Sequence, residues 1–430
     1  MNSPPSSGPA IVGIETAWGD LRSIVGAEHM RPATLQDAVD GVLPQLVLEP
    51  ANEQEVSRVL TVAASAGLRV MPRGGGTKMG WGNPPRAGEM IISTRRMNRV
   101  VEHASGDMTA TVQAGCTFQQ LQNTLSVHGQ RVALDPLWPN EATVGGILAT
   151  NDSGPLRIRF GSLRDLIIGI TLVLPDGTVA KSGGKVVKNV AGYDLPKLAT
   201  GSLGTLGIIT QAIFRLHPRP RESRTLTVST PDIKAASELV LTIQASKLVP
   251  TGVQLRADAS SFDIDLRFEG TSVGCDSQTE QLLRMASGTT RMDSPDEVWS
   301  ARESLWSGNS AAAICKFTLL PTELQTWVEQ IRSGAAQKEM PWRLVAQATG
   351  VGILRLESPQ TDILADLLRT FRAGLERSGG SLSILACPPH VKSKMDVWGS
   401  AGDAISLMRR IKAQFDPAGV LNPGRFIAGI

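Results

Sequence analysis

The chain has 430 residues, of which 41% are hydrophobic, and a formal net charge of +3. This length exceeds what one hydrophobic core usually serves, so it predicts two or three domains. The near balance of acidic and basic residues gives no reason to expect a nucleic-acid partner. The longest apolar run, residues 166–174, is too short to span a membrane. We therefore expect a cytoplasmic protein with at most peripheral association at the inner face of the membrane.

Four cysteines are scattered along the chain, with no CxxC pair and no histidine at ligand spacing. Zinc and iron–sulfur sites need closely spaced thiolates or imidazoles. The sequence therefore predicts reduced thiols and no metal site. The cysteines are Cys116, Cys275, Cys315 and Cys387.

A strand, a helix and a second strand lead into three consecutive glycines. Residues 43–48 and 68–71 have the pattern of strands, and Asn52 is placed to cap the helix between them. Glycines can turn successive N–H groups toward one point, which suits an anion with many oxygens, and Arg73 adds a cation. The spacing matches neither GxxxxGK[ST] nor GxGxxG, and a tight surface turn is the alternative. The loop and its flanks are Pro72, Arg73, Gly74, Gly75, Gly76 and Thr77.

Residues 135–165 form a second stretch that is rich in small residues. Small residues let a flat ring or a diphosphate lie directly on the main chain, although a close helix contact explains a glycine pair equally well. Two such stretches, separated by an α/β block, can converge on one extended molecule. The candidate contacts here are Pro139, Thr143, Gly145, Gly146, Ala149, Asn151, Gly154, Gly161 and Asp165.

Five motifs in a fixed order carry a specific resemblance. They are Pro-Arg-Gly-Gly-Gly-Thr at 72–77, Ala-Thr-Val-Gly-Gly at 142–146, Arg-x-Gly-x-x-x-Asp at 159–165, Asn-x-x-Gly-Tyr-Asp-Leu at 189–195, and Gly-Ser-x-Gly-Thr-Leu-Gly-Ile-Ile-Thr at 201–210. In this order they resemble the FAD-binding domain of the vanillyl-alcohol oxidase and p-cresol methylhydroxylase (PCMH-type) superfamily. Within it, the chain resembles most closely the small, E-type FAD-binding subunit of bacterial glycolate oxidase.

The resemblance implies FAD as the cofactor. It places the diphosphate at residues 73–77, the flavin and ribityl side at 143–146 and 151–154, and the adenosine end at 204–209. Members that link the flavin covalently carry histidine where this chain has Thr77, so noncovalent binding is expected. The contacts expected from the last motif and the C-terminal Asn-Pro-Gly are Gly204, Gly207, Ile209 and Asn422.

The expected fold is α+β. Residues 40–218 would form a two-subdomain PCMH-type FAD-binding domain after a lead and helix at 1–39. Residues 219–395 repeat a β-α-β-β-α-β order, which predicts a cap domain with an antiparallel sheet. Residues 396–430 would return as a helix and tail to the FAD domain.

By this resemblance, the chain is an FAD-dependent oxidoreductase and the FAD subunit of a complex that oxidises a small 2-hydroxyacid such as glycolate. The expected partners are a catalytic flavoprotein subunit and an iron–sulfur subunit. Leu203 stands where the large hydroxyacid-dehydrogenating relatives have glutamate, and their Gly-Glu-His-Gly element is absent. The alternatives are a stand-alone FAD-linked hydroxyacid or alcohol oxidoreductase and a non-catalytic scaffold subunit.

Catalytic residues are weakly indicated. His217 and His390 are candidate bases, and Arg256 and Arg425 are candidate carboxylate partners, although a structural role is favoured for each. Tyr193, the only tyrosine, is expected to cap its loop through a buried hydrogen bond in preference to lining the flavin pocket.

Overall fold

The computed structural model describes residues 9–185, 193–286, 288–292, 295–308 and 311–430. The strands are β1 (Met30–Pro32), β2 (Leu46–Leu48), β3 (Val70–Arg73), β4 (Met90–Ser93), β5 (Val100–Ala104), β6 (Thr109–Gln113), β7 (Gln130–Arg131), β8 (Ile167–Val173), β9 (Val179–Gly183), β10 (Ile208–Arg215), β11 (His217–Pro218), β12 (Glu222–Thr230), β13 (Gly252–Asp258), β14 (Phe262–Gly270), β15 (Thr289–Met292), β16 (Ala312–Thr318), β17 (Trp342–Gln347), β18 (Val351–Glu357) and β19 (Ser381–Ala386).

The α-helices are α1 (Pro9–Val25), α2 (Glu53–Ser65), α3 (Phe118–Ser126), α4 (Val144–Thr150), α5 (Arg157–Phe160), α6 (Leu163–Leu166), α7 (Leu195–Ala199), α8 (Ile233–Ala245), α9 (Ser272–Met285), α10 (Pro295–Trp299), α11 (Ala301–Ser304), α12 (Leu324–Ala336), α13 (Thr361–Arg377), α14 (Pro389–Lys394) and α15 (Ile405–Phe415). No described helix is both long and apolar enough to cross a membrane.

The first sheet has the order β1-β2-β4-β3, with β2, β4 and β3 parallel and β1 antiparallel to β2. Asn52 caps α2 by accepting a hydrogen bond from the Glu55 amide at 2.9 Å, as the sequence predicts. The C-terminal tail joins the edge of this sheet, where Leu421 forms a parallel bridge with Val70. Strand β3 therefore lies between β4 and the tail, and its carboxyl end delivers the glycine loop.

The second sheet, β5-β6-β10-β8-β9, is antiparallel throughout. Its inward residues, among them Val112, Ala212 and Phe214, share a core with Leu121 of α3 and Leu148 of α4. This packing places the start of α4 beside the glycine loop.

The third sheet runs β15-β12-β14-β13-β17-β18-β16-β19 with antiparallel neighbours. Two β-α-β-β-α-β units build it, joined where β13 pairs with β17. This confirms the α+β class and the antiparallel cap sheet. The domain limits at residues 39, 218 and 395 stay predictions.

The two faces of the cap sheet have different partners. Because side chains alternate along a strand, Leu344 and Leu354 point into the core that α8, α12 and α13 cover. Val345 and Ile353 point the other way and contact Trp81 of the first domain. The second face of the cap sheet therefore forms the boundary between the two domains.

Candidate functional site

The glycine loop lies directly on the segment that opens α4. A Cβ atom placed on Gly75 would come within 2.0 Å of the Glu141 carbonyl oxygen, and one on Gly74 within 2.0 Å of Thr143 Oγ1. Gly76 has a φ of 84°, a backbone angle that residues with a side chain rarely adopt. The Gly75 amide donates a hydrogen bond to Thr143 Oγ1 at 3.3 Å. Glycine is therefore required here by close approach as well as by backbone conformation.

A cavity opens along this loop. A second one continues it toward the start of β10. We call the two together the glycine groove, which is long and narrow and suits an extended ligand. Fourteen of the sequence-predicted contacts line it: Pro72, Arg73, Gly74, Gly75, Gly76, Thr77, Thr143, Gly145, Gly146, Ala149, Gly204, Gly207, Ile209 and Asn422.

Asn422 offers the groove an unused acceptor. Its Nδ2 donates to the Leu203 carbonyl at 2.6 Å, which fixes the orientation of the amide. Its buried Oδ1 has no hydrogen-bond partner among the described residues. Buried polar atoms are nearly always paired, so a ligand that donates a hydrogen bond fits this position.

Five other predicted contacts do not line the groove. Pro139 lies on an outer cleft beside α3, and Asn151 ends α4 with a left-handed φ of 49°. Gly154 lies against Asp135, where a Cβ atom would come within 2.6 Å of Oδ1. Gly161 and Asp165 shape the start of α6, since Asp165 accepts hydrogen bonds from the Ser162 amide and hydroxyl. Their contact with a ligand stays a prediction. Residues 189–192 of the fourth motif lie outside the described residues.

Arg73 is not the free cation that its position in the loop suggested. Its Nη1 lies 2.7 Å from Asp37 Oδ1. Arg31 holds the same carboxylate through two bonds of 2.8 Å. These hydrogen bonds, above all those from Arg31, keep the pKa of Asp37 well below its ordinary value. Arg73 therefore anchors the base of the loop to the preceding segment.

Two buried cations hold the turn that follows the loop. Arg425 donates to the carbonyl oxygens of Met79 and Trp81. Lys392 Nζ lies 2.5 Å from the Gly80 carbonyl oxygen and 2.8 Å from Asp40. Burial lowers the pKa of Arg425 to about 10. Arg425 belongs to the tail and Lys392 to the cap domain, so both regions fix the backbone conformation of residues 79–82.

A further, small cavity lies between the domains. We call it the interdomain cavity. Four lining residues come from the first domain and the rest from the cap, mostly from its boundary face. They are Trp81, Asp152, Ser153, Pro155, Gln254, Arg302, Lys316, Val345, Gln347, Val351, Gly352, Ile353 and Leu385.

Three cations surround one carboxylate at this cavity. Asp152 lies 3.3 Å from Lys78 Nζ and 3.6 Å from Arg302 Nη1. Lys316, in the middle of β16, is also close enough to interact electrostatically with Asp152 and Arg302. The Asp152 carboxylate favours the charged form of Lys316, and the Arg302 guanidinium disfavours it. Glu303 is a second carboxylate within reach of Lys78. Burial lowers the pKa of both lysines. Burial therefore disfavours the charged form of both lysines, and an anion beside them would favour that form.

Lys78 joins the two sites. It lines the glycine groove, and its ammonium lies 5.2 Å from the ring centroid of Trp138 and 5.7 Å from that of Trp81. Aromatic faces stabilise a cation at such distances. Trp81 in turn lines the interdomain cavity, so groove and cavity meet at Lys78.

The four catalytic candidates from the sequence do not assemble here. His217 packs edge-on against Phe160, and His390 is exposed beside Asp362. Arg256 is held by two bonds to Asp265 of 2.7 and 2.8 Å, and Arg425 is engaged with carbonyls in the groove. None of the four lines the interdomain cavity.

Sequence reasoning overlooked Lys78, Arg302 and Lys316, which three distant segments bring together. A lysine amid the apolar alternation of Ala312–Thr318 was the available signal. Tyr193 was misjudged, since its side chain is 92% exposed and cannot form a buried cap.

Comparisons with known proteins agree with this geometry. Residues 44–183 match the FAD binding domain family, and residues 399–426 match the C-terminal domain of FAD linked oxidases. The fold is similar to that of p-cresol methylhydroxylase (TM-score 0.78, 14% identity, 96% of each chain). It is also similar to that of alkyldihydroxyacetonephosphate synthase (TM-score 0.75, 19% identity, 99% of this chain and 87% of that one).

The bare glycine cradle, the long groove and the unpaired Asn422 acceptor all suit FAD. The protein is an FAD-dependent oxidoreductase with a PCMH-type FAD-binding fold. It is 27% identical to glycolate oxidase subunit GlcD of Bacillus subtilis (strain 168), over 90% of this chain and 89% of that one. It is 37% identical to mitochondrial D-lactate dehydrogenase [cytochrome] 1 of Saccharomyces cerevisiae, but over only 50% of this chain and 36% of that enzyme.

Proposed function

We propose that the protein is the FAD subunit of a complex that oxidises a small 2-hydroxyacid of the glycolate type. The observation that carries the proposal is Lys316. It lines the interdomain cavity, and no hydrogen bond or ion pair engages its ammonium among the residues that the structure describes. An anionic substrate would supply the missing partner.

The charge balance supports a carboxylate ligand. Burying an ion without a counter-ion is costly, and Asp152 is already shared by Lys78 and Arg302. The Arg302 guanidinium is also engaged, because it donates hydrogen bonds to the carbonyl oxygens of Ser153 and Asp135. Lys316 is therefore the cation that a substrate carboxylate would reach.

The cavity walls favour a small substrate. Val345, Ile353 and Leu385 close the cap side, and Trp81 closes the other. Bound FAD would supply a hydride acceptor for the substrate carbon, and the protein would supply position and electrostatics. In this scheme Lys316 orients the carboxylate, and the apolar wall excludes water from the reacting carbon.

The complex is supported by similarity and by missing features. The GlcD similarity extends over nearly the whole chain. The four cysteines lack cluster spacing, so electrons must leave to a small acceptor or another protein. Leu203 and the absent Gly-Glu-His-Gly element set the chain apart from self-sufficient relatives. The proposed partners are a second flavoprotein subunit, catalytic alongside this chain, and an iron–sulfur subunit, and Thr77 favours noncovalent FAD.

Affinity purification of the native protein from its own host tests the proposal. It should recover both partners, with glycolate-dependent dye reduction that is strong in the assembly and weak in the isolated chain. A monomer that oxidises glycolate at the full rate would contradict the complex. An assembly that no 2-hydroxyacid reduces would contradict the substrate class.

A further inference from the structure

The boundary face of the cap sheet places two apolar side chains in line with Lys316. Lys316 of β16 is the direct register partner of Ile353 in β18. Ile353 is in turn the partner of Val345 in β17. Directly opposed residues have their Cβ atoms about 5 Å apart. Lys316, Ile353 and Val345 therefore form one row across three adjacent strands, and all three line the interdomain cavity.

The cavity is closed by apolar side chains beside this lysine. Ile353 and Val345 are buried and belong to one hydrophobic cluster with Leu385 and Trp81. Leu385 comes from β19, the strand on the other side of β16. Trp81 belongs to the first domain, so the cluster reaches from the sheet to the opposite wall. On this side of Lys316, the free space therefore ends at the Ile353 side chain.

The wall that faces this row is mostly polar. Asp152 lies 3.6 Å from Arg302, and both line the cavity. Gln347 bridges the two domains, since its Nε2 donates to the Ser153 carbonyl at 3.4 Å. An alkyl group buried against such groups removes water from them and returns no hydrogen bond. An alkyl substituent of a ligand bound at Lys316 is therefore favoured on the side of Ile353.

We propose that Ile353 determines which 2-hydroxyacids the cavity accepts, because it limits the substituent on the carbon next to the carboxylate. This inference rests on the proposed function, in which Lys316 binds that carboxylate, and it adds a size limit. The accepted acids carry hydrogen or methyl on this carbon, as glycolate and lactate do. A longer alkyl chain overlaps the Ile353 side chain, and overpacking a well-packed wall is unfavourable.

Calorimetric titration of the FAD-loaded chain tests the proposal, with the flavin chemically reduced beforehand to prevent turnover. The probes are glycolate and each enantiomer of 2-hydroxyvalerate, which carries a propyl chain on the carbon next to the carboxylate. The wild-type protein should bind glycolate about tenfold or more tightly than either enantiomer. Equal affinities, or no binding of any of the three probes, would overturn the proposal without any variant.

The variant Ile353→Ala removes three carbon atoms from the wall, as many as the propyl chain contains. At least one enantiomer of 2-hydroxyvalerate should then bind about tenfold or more tightly than it binds the wild-type protein. Glycolate does not reach the removed atoms, so its affinity should stay near the wild-type value. The milder variant Ile353→Val keeps the β-branched shape of the strand residue and should shift the preference in the same direction by a smaller factor.

The matched control is Ile314→Ala. Ile314 is buried on the same sheet face, two positions before Lys316, and belongs to the same hydrophobic cluster, but its side chain lies outside the cavity lining. The control should lose stability in the same way and keep the wild-type preference for glycolate. The proposal fails if both alanine variants shift the preference equally, or if Ile353→Ala does not shift it.

Failure of the proposed function is separately visible. A size preference that Ile353→Ala relaxes, without reduction of the oxidised flavin by glycolate or lactate, would refute the 2-hydroxyacid oxidation and leave the size limit standing. Reduction of the flavin by glycolate, with a preference that Ile353→Ala leaves unchanged, would refute only the role of Ile353.

Discussion

The glycine groove and the interdomain cavity are built in opposite ways. The groove is a backbone site, in which Gly74 and Gly75 lie against Thr143 and Glu141 so closely that no side chain fits. The cavity is a side-chain site, in which Lys316 and Gln254 project from one sheet face. A backbone site leaves a dense local pattern in the sequence, whereas a side-chain site assembled across strands does not.

The sharpest way to break the groove is Gly75→Ala. The added Cβ atom would meet a backbone oxygen at 2.0 Å, which cannot move aside without shifting α4. We expect complete loss of FAD, measured as flavin absorbance per purified chain. The control is Gly80→Ala, where a Cβ atom meets nothing within 4 Å. A Gly75→Ala protein with a full flavin complement would show that the loop does not carry the cofactor.

Arg425→Met tests whether the tail shapes the groove. The change removes two charge-assisted hydrogen bonds to buried carbonyl oxygens of Met79 and Trp81. We expect a loss of roughly 2–4 kcal/mol in the free energy of unfolding, together with weaker FAD binding. Exposed Arg410→Met is the control for removing a positive charge. An unchanged free energy of unfolding in denaturant would argue against a stabilising role of these two hydrogen bonds.

The variant Lys316→Met tests whether substrate binding in the cavity is independent of FAD binding in the groove. The methionine keeps much of the side-chain volume and loses the ammonium, so FAD content should stay at the wild-type level. The KM for glycolate should rise about 10- to 100-fold, the value of one charged hydrogen bond. Exposed Lys338→Met should leave KM unchanged. If Lys316→Met instead loses FAD, the two regions are not separate sites.

Asp37 gives the groove a pH dependence of stability. Its folded pKa lies below the ordinary value, so the ionised carboxylate stabilises the native state above the unfolded pKa of about 3.9. That contribution is lost as the pH falls further toward the folded pKa. Asp37→Asn should cost about 1–2 kcal/mol at neutral pH. Its melting-temperature deficit should narrow below about pH 4. A constant deficit across this range would contradict the assignment, and exposed Asp403→Asn should show neither effect.

Tyr193→Phe should have the smallest effect. Because the side chain is 92% exposed, losing its hydroxyl should change stability by less than about 0.5 kcal/mol. FAD content should also be unchanged. A clear fall in melting temperature would restore the buried cap that the sequence suggested.

Much of the fold was predictable because its signals are local. The Asn52 cap of α2 and the Thr117 cap of α3, which accepts from the Gln120 amide at 3.2 Å, both follow from residues three positions apart. The spacing of Thr117 and Gln120 also predicts the reciprocal bond of a capping box. That prediction is wrong, since the Gln120 side chain donates to the Asn98 carbonyl instead. When a side chain can bond to several groups that are distant in the sequence, the sequence does not show which one it contacts.

The residues of the candidate site also fall into those that local sequence predicts and those that depend on tertiary packing. Ten of the fourteen groove residues were predicted because glycines and small residues mark close backbone approach. Gly204, Gly207, Ile209 and Asn422 were predicted from the family resemblance, and contact of all fourteen with FAD stays a prediction. The pairing of Arg73 with Asp37 was not found, because 36 positions separate them. Lys316 was missed because its role depends on which sheet face meets the first domain, and that is decided by tertiary packing.

Anaerobic reduction of the bound flavin tests the central claim most directly. The FAD-loaded protein, in its assembly where partners are recovered, is mixed with glycolate, D-lactate or ethylene glycol. Ethylene glycol keeps the hydroxyl and lacks the carboxylate that Lys316 would bind. The oxidised flavin band should disappear with at least one of the two hydroxyacids and persist with ethylene glycol. Bleaching by ethylene glycol at a comparable rate, or by none of the three, would contradict a cavity built for a small 2-hydroxyacid.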